Sequence, residues 1–256
     1  MSEDLLEKTY KTELFIMKRA VMKSANSIVR DFGELERLQV SRKGVCNFIT
    51  SADIRAEEQI IHELKKSGLD YNILSEESGF IKSEKKNCEY TLVIDPIDGT
   101  NNFRRGIPYF CISIALTKND EPVAAVCLDP VRNDLFKSAV NTGSYVDGRN
   151  RMRVTSRTSL AESVIAIHNN NEKIYSKLNT GNCIIRRTGS VSLDLSYLAA
   201  GKYDAVIIDN VQWWDIASGI IIIKEAGGFV EFSKNGSGYN LRGACTRRLL
   251  NVVKEL

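Results

Sequence analysis

A change of pattern near residue 155 constrains the fold more than any other feature of this chain. Upstream of it, β-rich runs at 90–94, 109–117, 123–128 and 134–139 follow one another, with turn signals such as Lys118-Asn119-Asp120-Glu121-Pro122 between them. Runs this short and this closely punctuated predict an antiparallel meander. Downstream, strand-like runs at 163–167, 183–187 and 205–208 alternate with helical patterns at 171–179, 191–200 and 216–226. That alternation predicts layered α/β structure. Two helices are expected before the meander. Apolar side chains at 5, 6, 14, 16, 17, 20, 21, 25, 28 and 29 place one over 3–30, ended by Asp31-Phe32-Gly33. The second is expected over about 53–67, entered near Ser51 and Asp53 and closed by Gly68. With no repeat, low-complexity stretch or linker, the expected architecture is one compact unit of two lobes, α+β over 1–155 and α/β over 156–256.

Composition narrows the chemistry. The 256 residues carry 35 Lys+Arg against 32 Asp+Glu, a net charge of +3 spread over a mixed surface. This gives no electrostatic case for a nucleic-acid partner. There are two histidines, His62 and His168, and six cysteines with no CxxC and no Cys/His cluster. A structural zinc site of ordinary spacing is not expected, and a nucleophile–histidine mechanism has two candidate bases at most. Carboxylates become the candidate instruments. The opening MSEDLLEKTY mixes acids with leucines, so no secretory leader is expected. The longest aliphatic run, 220–223, is far below the about 20 residues that span a bilayer. The expectation is a soluble cytoplasmic protein with reduced core thiols.

The sharpest motif is Leu92-Val93-Ile94-Asp95-Pro96-Ile97-Asp98-Gly99-Thr100. An apolar strand delivers Asp95 at its end, Pro96 fixes φ and helps force a turn, and Gly99 relieves the steric limit after Asp98. Carboxylates three residues apart on such a turn can converge on a hard divalent cation, which takes oxygen ligands and often substrate phosphate oxygens as well. The following Gly99 and Thr100 N–H groups could meet a phosphate. Taken alone, the string also reads as an Asx-Pro turn in which both aspartates bond the backbone. Further acids change the balance. Glu76-Glu77 follows a short apolar stretch beside Gly79, and Asp215 follows Trp213-Trp214 at the start of an apolar helix ending at Glu225-Ala226-Gly227-Gly228. Capping of that helix by Asp215 is the plain explanation, yet a carboxylate in so apolar a setting is unfavourable unless paired or bound to a cation.

The ordered set Glu76-Glu77, then Asp95-Pro96-Ile97-Asp98-Gly99-Thr100-Asn101-Asn102-Phe103, then Trp214-Asp215 with Lys224-Glu225-Ala226-Gly227-Gly228, resembles the inositol monophosphatase family. This is the Mg²⁺-dependent, lithium-sensitive sugar phosphatase superfamily that includes fructose-1,6-bisphosphatases, and the resemblance spans nearly the whole chain. Lys43, Asp53 and Arg187-Thr188-Gly189-Ser190 are further landmarks. The resemblance implies an alternating α-β-α-β-α sandwich, a homodimer and two or three Mg²⁺ ions per site. Glu76, Asp95 and the Ile97 carbonyl would hold one ion, and Asp95, Asp98 and Asp215 a second. Glu76 would also border a third position, with Asp53 nearby through water. Thr100, hydrogen-bonded to Asp53, would orient the attacking water, with Glu76 and Asp95 completing the catalytic set. The Gly99 and Thr100 N–H groups would bind phosphate beside Asp98 and Asp215.

The resemblance assigns the substrate alcohol to Gly189, Ser190 and Val191, although Ser190 also reads as the cap of the following helix. An acid shortly before the Trp-Asp pair often contacts a hydroxyl in inositol phosphatases. Here Ile208 stands at that spacing, with Asp209 one residue later. His168 reads as part of a polar turn, His62 as surface, and Arg149, Arg151, Arg153 and Arg157 as a solvated face. Arg104, Arg105, Arg186 and Arg187 are candidates for a second phosphate. The expected activity is Mg²⁺-dependent hydrolysis of a small sugar or polyol phosphate, inositol 1-phosphate or fructose 1,6-bisphosphate. A phosphatase for 3′-phosphoadenosine 5′-phosphate or NADP, or a non-catalytic regulatory protein on the same fold, stands as the alternative. A haloacid-dehalogenase mechanism also ends its nucleophile motif in Asp-Gly-Thr, but it spaces the aspartates by two rather than three.

Overall fold

The computed structural model describes residues 10–38, 42–169 and 171–256, and the side chains of 36–38 and 42–50 are not among the described ones. Positions 5 and 6 of the expected first helix and the Lys43 side chain therefore lie outside the described residues. Two long helices, α1 (Lys11–Leu38) and α2 (Arg42–Lys66), come first among the described residues. Both differ from expectation at an end. Helix α1 runs through Gly33 because Leu35, fully buried, continues the stripe of Val21, Ala25 and Ile28; that burial offsets the roughly 1 kcal/mol a helical glycine loses. Helix α2 begins well before Ser51, so Ser51 and Asp53 are interior positions rather than an entry. Gly68, at φ +82°, ends it as expected.

The meander forms as read from the sequence. Strands β1 (Asn72–Ser75), β2 (Gly79–Ile81), β3 (Tyr90–Asp98), β4 (Cys111–Lys118), β5 (Glu121–Asp129), β6 (Asp134–Ala139), β7 (Gly143–Val146) and β8 (Asn150–Arg151) make one sheet in the order β2-β1-β3-β4-β5-β6-β7-β8. Only β1·β3 is parallel. Both faces are buried, so its central strands are almost wholly apolar. Leu92, Ile94, Ile112, Ile114 and Val126 face α1 and α2, whereas Val93, Ala115, Ala125 and Cys127 face the opposite core.

The alternating half forms a second sheet, β10-β9-β11-β13-β12. It comprises β9 (Val164–His168), β10 (Ile184–Arg186), β11 (Ala205–Val211), β12 (Phe229–Asn235) and β13 (Gly238–Ala244). Helices α3 (Thr100–Arg104), α4 (Glu172–Thr180), α5 (Val191–Ala199), α6 (Trp213–Glu225) and α7 (Arg247–Lys254) complete the described residues. Helices α5 and α6 are buried on nearly every side between the two sheets, and α7 covers the second sheet with Leu249, Leu250 and Val253. The expected α-β-α-β-α layering is therefore present. Among the described residues no helix is long and apolar enough to cross a membrane, and Cys88, Cys111, Cys127, Cys183 and Cys245 are free thiols.

The middle layer depends on one close approach. A Cβ on Gly219 of α6 would collide with the Leu195 side chain of α5. Ser218 beside it accepts the Ser113 hydroxyl at 2.7 Å, fixing α6 to β4. Gly219→Ala should therefore push the two helices apart and lower stability by about 1–3 kcal/mol. Thermal unfolding checks this, and an unchanged midpoint would mean that the helices do not meet this tightly.

Candidate metal and phosphate site

The acidic site forms where β3 breaks its own pattern. In a regular strand, residues three apart point to opposite faces. Here the ladder passes from Asp95 opposite Ser113 to Asp98 opposite Cys111, so two residues of β3 oppose one of β4. The extra residue is a bulge, and Pro96, which has no N–H to donate, is accommodated there. Asp95 is thus not the end of the strand, as the sequence suggested. The bulge is what brings both carboxylates to one side. The turn follows at Gly99, whose φ of 102° suits glycine; a methyl group added there would lie 3.1 Å from Phe110 Cβ.

Asp95, Asp98 and Asp215 each offer an oxygen within 4.8 Å of the others. Each is held differently. Asp95 accepts from the Ile97 N–H at 3.0 Å. Asp98 accepts from Ser190 Oγ at 2.8 Å, Val191 N at 3.2 Å and Ser192 N at 2.5 Å. It therefore caps α5 from another part of the chain, where the helix N-terminus favours negative charge. Ser190 occupies the N-cap position, but its hydroxyl donates to Asp98 rather than capping the helix itself. Asp215 is the third residue of α6, not its N-cap. The cap is Gln212, whose N–H donates to Asp215 Oδ2 at 2.7 Å in a capping box.

Crowding and burial disfavour the ionised forms of these acids. Burial and repulsion from Asp98, Glu76, Asp215 and Asp53 push Asp95 well up. Asp215 is pushed up to about 7 by burial, then by Asp98. Burial also raises Asp98, against the opposing bonds from Ser190, Ser192 and Val191. Asp53, on α2 and 5% exposed, is pushed up to about 7 by burial and by Glu77 and Glu76. Its Oδ1 is buried with no hydrogen-bond partner. An orphaned carboxylate oxygen beside a hard oxygen donor set is what a divalent cation would satisfy. The residues fit such a group.

Other predicted members stand at the rim. Glu76 lies on the exposed turn between β1 and β2, outside the 4.8 Å group. Its carboxyl is nonetheless pushed up to about 7 by burial on its inner side and by Glu77 and Asp98. Thr100 begins α3, but its hydroxyl donates to the Ile97 carbonyl at 3.0 Å, not to Asp53. That local bond within one turn wins over a partner on another helix, and it uses one of the two lone pairs of the predicted carbonyl ligand. The first hydrogen bond across α3 is Asn102 N to Gly99 O at 2.8 Å, so the Thr100 and Asn101 N–H groups precede the helix ladder. Asn102 Nδ2 donates to Tyr109 O and Thr188 O, each at 2.7 Å, joining this turn to Gly189 at φ 93°.

Sequence reasoning missed two supports. Glu57, 1% exposed on α2, accepts the Ser75 and Ser78 hydroxyls and the Glu77 N–H, and so fastens the turn that carries Glu76. Its spacing of four from Asp53, on one helix face, was a usable signal. Asp194 is fully buried and accepts from Tyr109, Thr188 and His168; no local pattern announces partners so distant in sequence. Asp209 is engaged by Arg242 at 2.7 Å and by Asn169 at 3.0 Å. Arg187 stacks over Tyr175 at 5.5 Å, and His62 is exposed as expected.

Fold and acidic centre together define a two-sheet protein of the sugar phosphatase type. The chain belongs to the inositol monophosphatase family, whose sequence profile matches residues 10–248. It is 38% identical over 222 residues to an inositol-1-monophosphatase of Caulobacter vibrioides, covering 83% of this chain and 86% of that protein. It is 36% identical to the Nus factor SuhB of Xylella fastidiosa, covering 84% and 80%. An inositol monophosphatase structure from Anabaena superposes with a TM-score of 0.82 at 26% identity, covering 97% of each chain.

The raised acids predict a linked stability effect. Without a cation, the folded chain retains protons on Asp53, Glu76 and Asp215 up to about pH 7, whereas the unfolded chain releases them near pH 4. Cation-free stability is therefore expected to fall as pH rises from about 4 to about 7. A divalent cation competes with those protons, so the gain in melting temperature over a chelated sample should be larger at pH 8 than at pH 5.5. Equal gains at both values would place the cation elsewhere.

Proposed function

We propose that the chain is a Mg²⁺-dependent phosphatase for small sugar or polyol phosphate monoesters, inositol 1-phosphate first and fructose 1,6-bisphosphate second. The observation that carries this reading is the convergence of Asp95, Asp98 and Asp215 within 4.8 Å, next to the Gly99 turn. Glu76, Asp95 and the Ile97 carbonyl would hold one ion and Asp95, Asp98 and Asp215 another. Asp98 Oδ1 retains capacity for this, since of its two lone pairs it uses one for the Val191 N–H, while Ser190, Ser192 and the Cys111 thiol meet Oδ2. Bound Mg²⁺ would supply a nucleophilic water at neutral pH and neutralise charge on the phosphoryl oxygens.

The chain's own groups do the positioning. Thr100, Asp53 and Glu76 orient the water, and the Gly99 and Thr100 N–H groups take the phosphate oxygens. Gly189, Ser190 and Val191 border the departing alcohol. No histidine or covalent nucleophile is required. Several relatives are named Nus factor SuhB, and a regulatory role is the second reading. The complete acid set supports the catalytic one, because loss of ligands would mark a retired site. The same reading carries a cytoplasmic homodimer acting on small molecules rather than nucleic acid.

Asp95→Asn tests it. The substitution keeps the side-chain shape and removes an ionisable acid from a repulsive cluster, so cation-free stability should not fall. Mg²⁺-dependent phosphate release should drop by about 10²–10³-fold across a panel of inositol 1-phosphate, fructose 1,6-bisphosphate, NADP and 3′-phosphoadenosine 5′-phosphate. Wild-type turnover in the variant would overturn the assignment, as would an aspartyl-phosphate trapped at Asp95.

A further inference from the structure

Behind the α5 N-terminus, Asp194 collects three donors. Tyr109 Oη donates to Oδ1 at 2.5 Å, while Thr188 Oγ1 at 2.5 Å and His168 Nε2 at 2.7 Å meet Oδ2. Asp194 has no solvent exposure, and the His168 side chain retains 13%. What remains exposed lines a cleft of about 460 Å³ shared with Asn169, Asn171, Arg187, Asp209 and Asn210. Among these, Asp209 is already occupied by Arg242 and Asn169. On the parallel rung between β9 and β11, His168 pairs with Ile208, which is fully buried. The polar side-chain atoms of that rung therefore come from His168 alone.

This cleft adjoins the reacting end. Thr188, which bonds Asp194, is followed by Gly189 and by Ser190, whose hydroxyl donates to Asp98. The His168 side chain lies within electrostatic reach of Asp98 and Asp215. A buried carboxylate receiving Nε2 selects the tautomer with the proton on that nitrogen. Nδ1 then carries a lone pair and has no hydrogen-bond partner among the described residues.

We propose that His168 is a specificity-determining residue that accepts a hydrogen bond from a hydroxyl of a polyol or sugar leaving group, with Asp194 as its positioning residue. The assignment rests on the phosphatase reading above. A ring so held is pre-organised, so the contact discriminates between alcohols rather than assisting bond cleavage.

Steady-state hydrolysis of inositol 1-phosphate, fructose 1,6-bisphosphate and p-nitrophenyl phosphate, the last with no hydroxyl on its leaving group, tests this in the Mg²⁺-loaded protein. His168→Ala should raise KM for the polyol substrate about tenfold, the value of one lost hydrogen bond, with kcat little changed. Its p-nitrophenyl phosphate kinetics and Mg²⁺ dependence should stay as in the wild type. His168→Gln, which keeps a donor toward Asp194 and an acceptor toward the cleft, should recover most of the loss. Equal losses on all substrates, or no loss on any, would overturn the proposal. Wild-type activity on p-nitrophenyl phosphate alone would overturn it while leaving the phosphatase reading standing. A wild type inactive on all three would overturn both.

Discussion

Packing several carboxylates against one another in a nearly dry corner is the constraint around which this structure is arranged. Like charges at such distances disfavour one another's ionised forms, and burial adds to the effect. Folding has to place them there anyway. Asp98 is held by three donors around the first turn of α5, Asp215 by the capping box of α6, and Asp95 by the N–H of Ile97. Asp53 Oδ1 receives nothing. The unequal distribution of donors separates acids whose geometry is fixed by the fold from one whose oxygen is left for something else. Strain of this kind is characteristic of functional sites, where stability yields to chemistry.

That arrangement also explains why α5 and α6 occupy the middle layer. Their N-termini must reach the end of β3, and their bodies must fit between two sheets. The second demand is met by apolar faces on nearly all sides and by Gly219, which lets α6 approach Leu195 closely. The first is met by polar side chains at the helix starts. Ser192 Oγ, for example, donates to the Asp215 carbonyl at 2.7 Å and links one helix entry to the other. Packing and site geometry are thus set by the same pair of helices.

Much of this is legible in the sequence. The meander and the strand–helix alternation follow from periodicity and turn residues, which are local. The acids can be found because the Asp95 to Asp98 string, Glu76 and Asp215 occur together in one recognisable order, although each alone has a plain explanation. Roles decided by distant partners are not legible in this way. Ser190 looks like a helix cap along the chain, but Asp98 arrives from 92 residues away to take that place. Asp215 looks like a cap but sits one turn inside, since Gln212 precedes it. The end of α1 escapes a reading of the sequence because Gly33 is a local stop signal and the burial of Leu35 is not local. The bulge at Pro96 reads as a turn because both use the same residue types.

The two ends of the site are built by different means, and this bears on how specificity can vary. At the end that the proposal gives to phosphate, the donors would be the Gly99 and Thr100 backbone N–H groups, whose positions are set by the left-handed turn at Gly99. A side chain in place of Gly99 would strain the turn itself, since its Cβ would crowd Phe110. At the end that the proposal gives to the alcohol, the cleft is lined by side chains on strand ends and loops, His168, Asn169, Arg187 and Asp209. On that reading, single substitutions there would alter which hydroxyl or charge is recognised. Ile208 beside His168 illustrates the point: an apolar residue on one strand leaves the rung's recognition to its neighbour. On that reading a chain can keep a family's reacting centre and still select its own alcohol, because Asp95, Asp98 and Asp215 are held by the β3 bulge and the α5 and α6 entries rather than directly by the cleft's side chains.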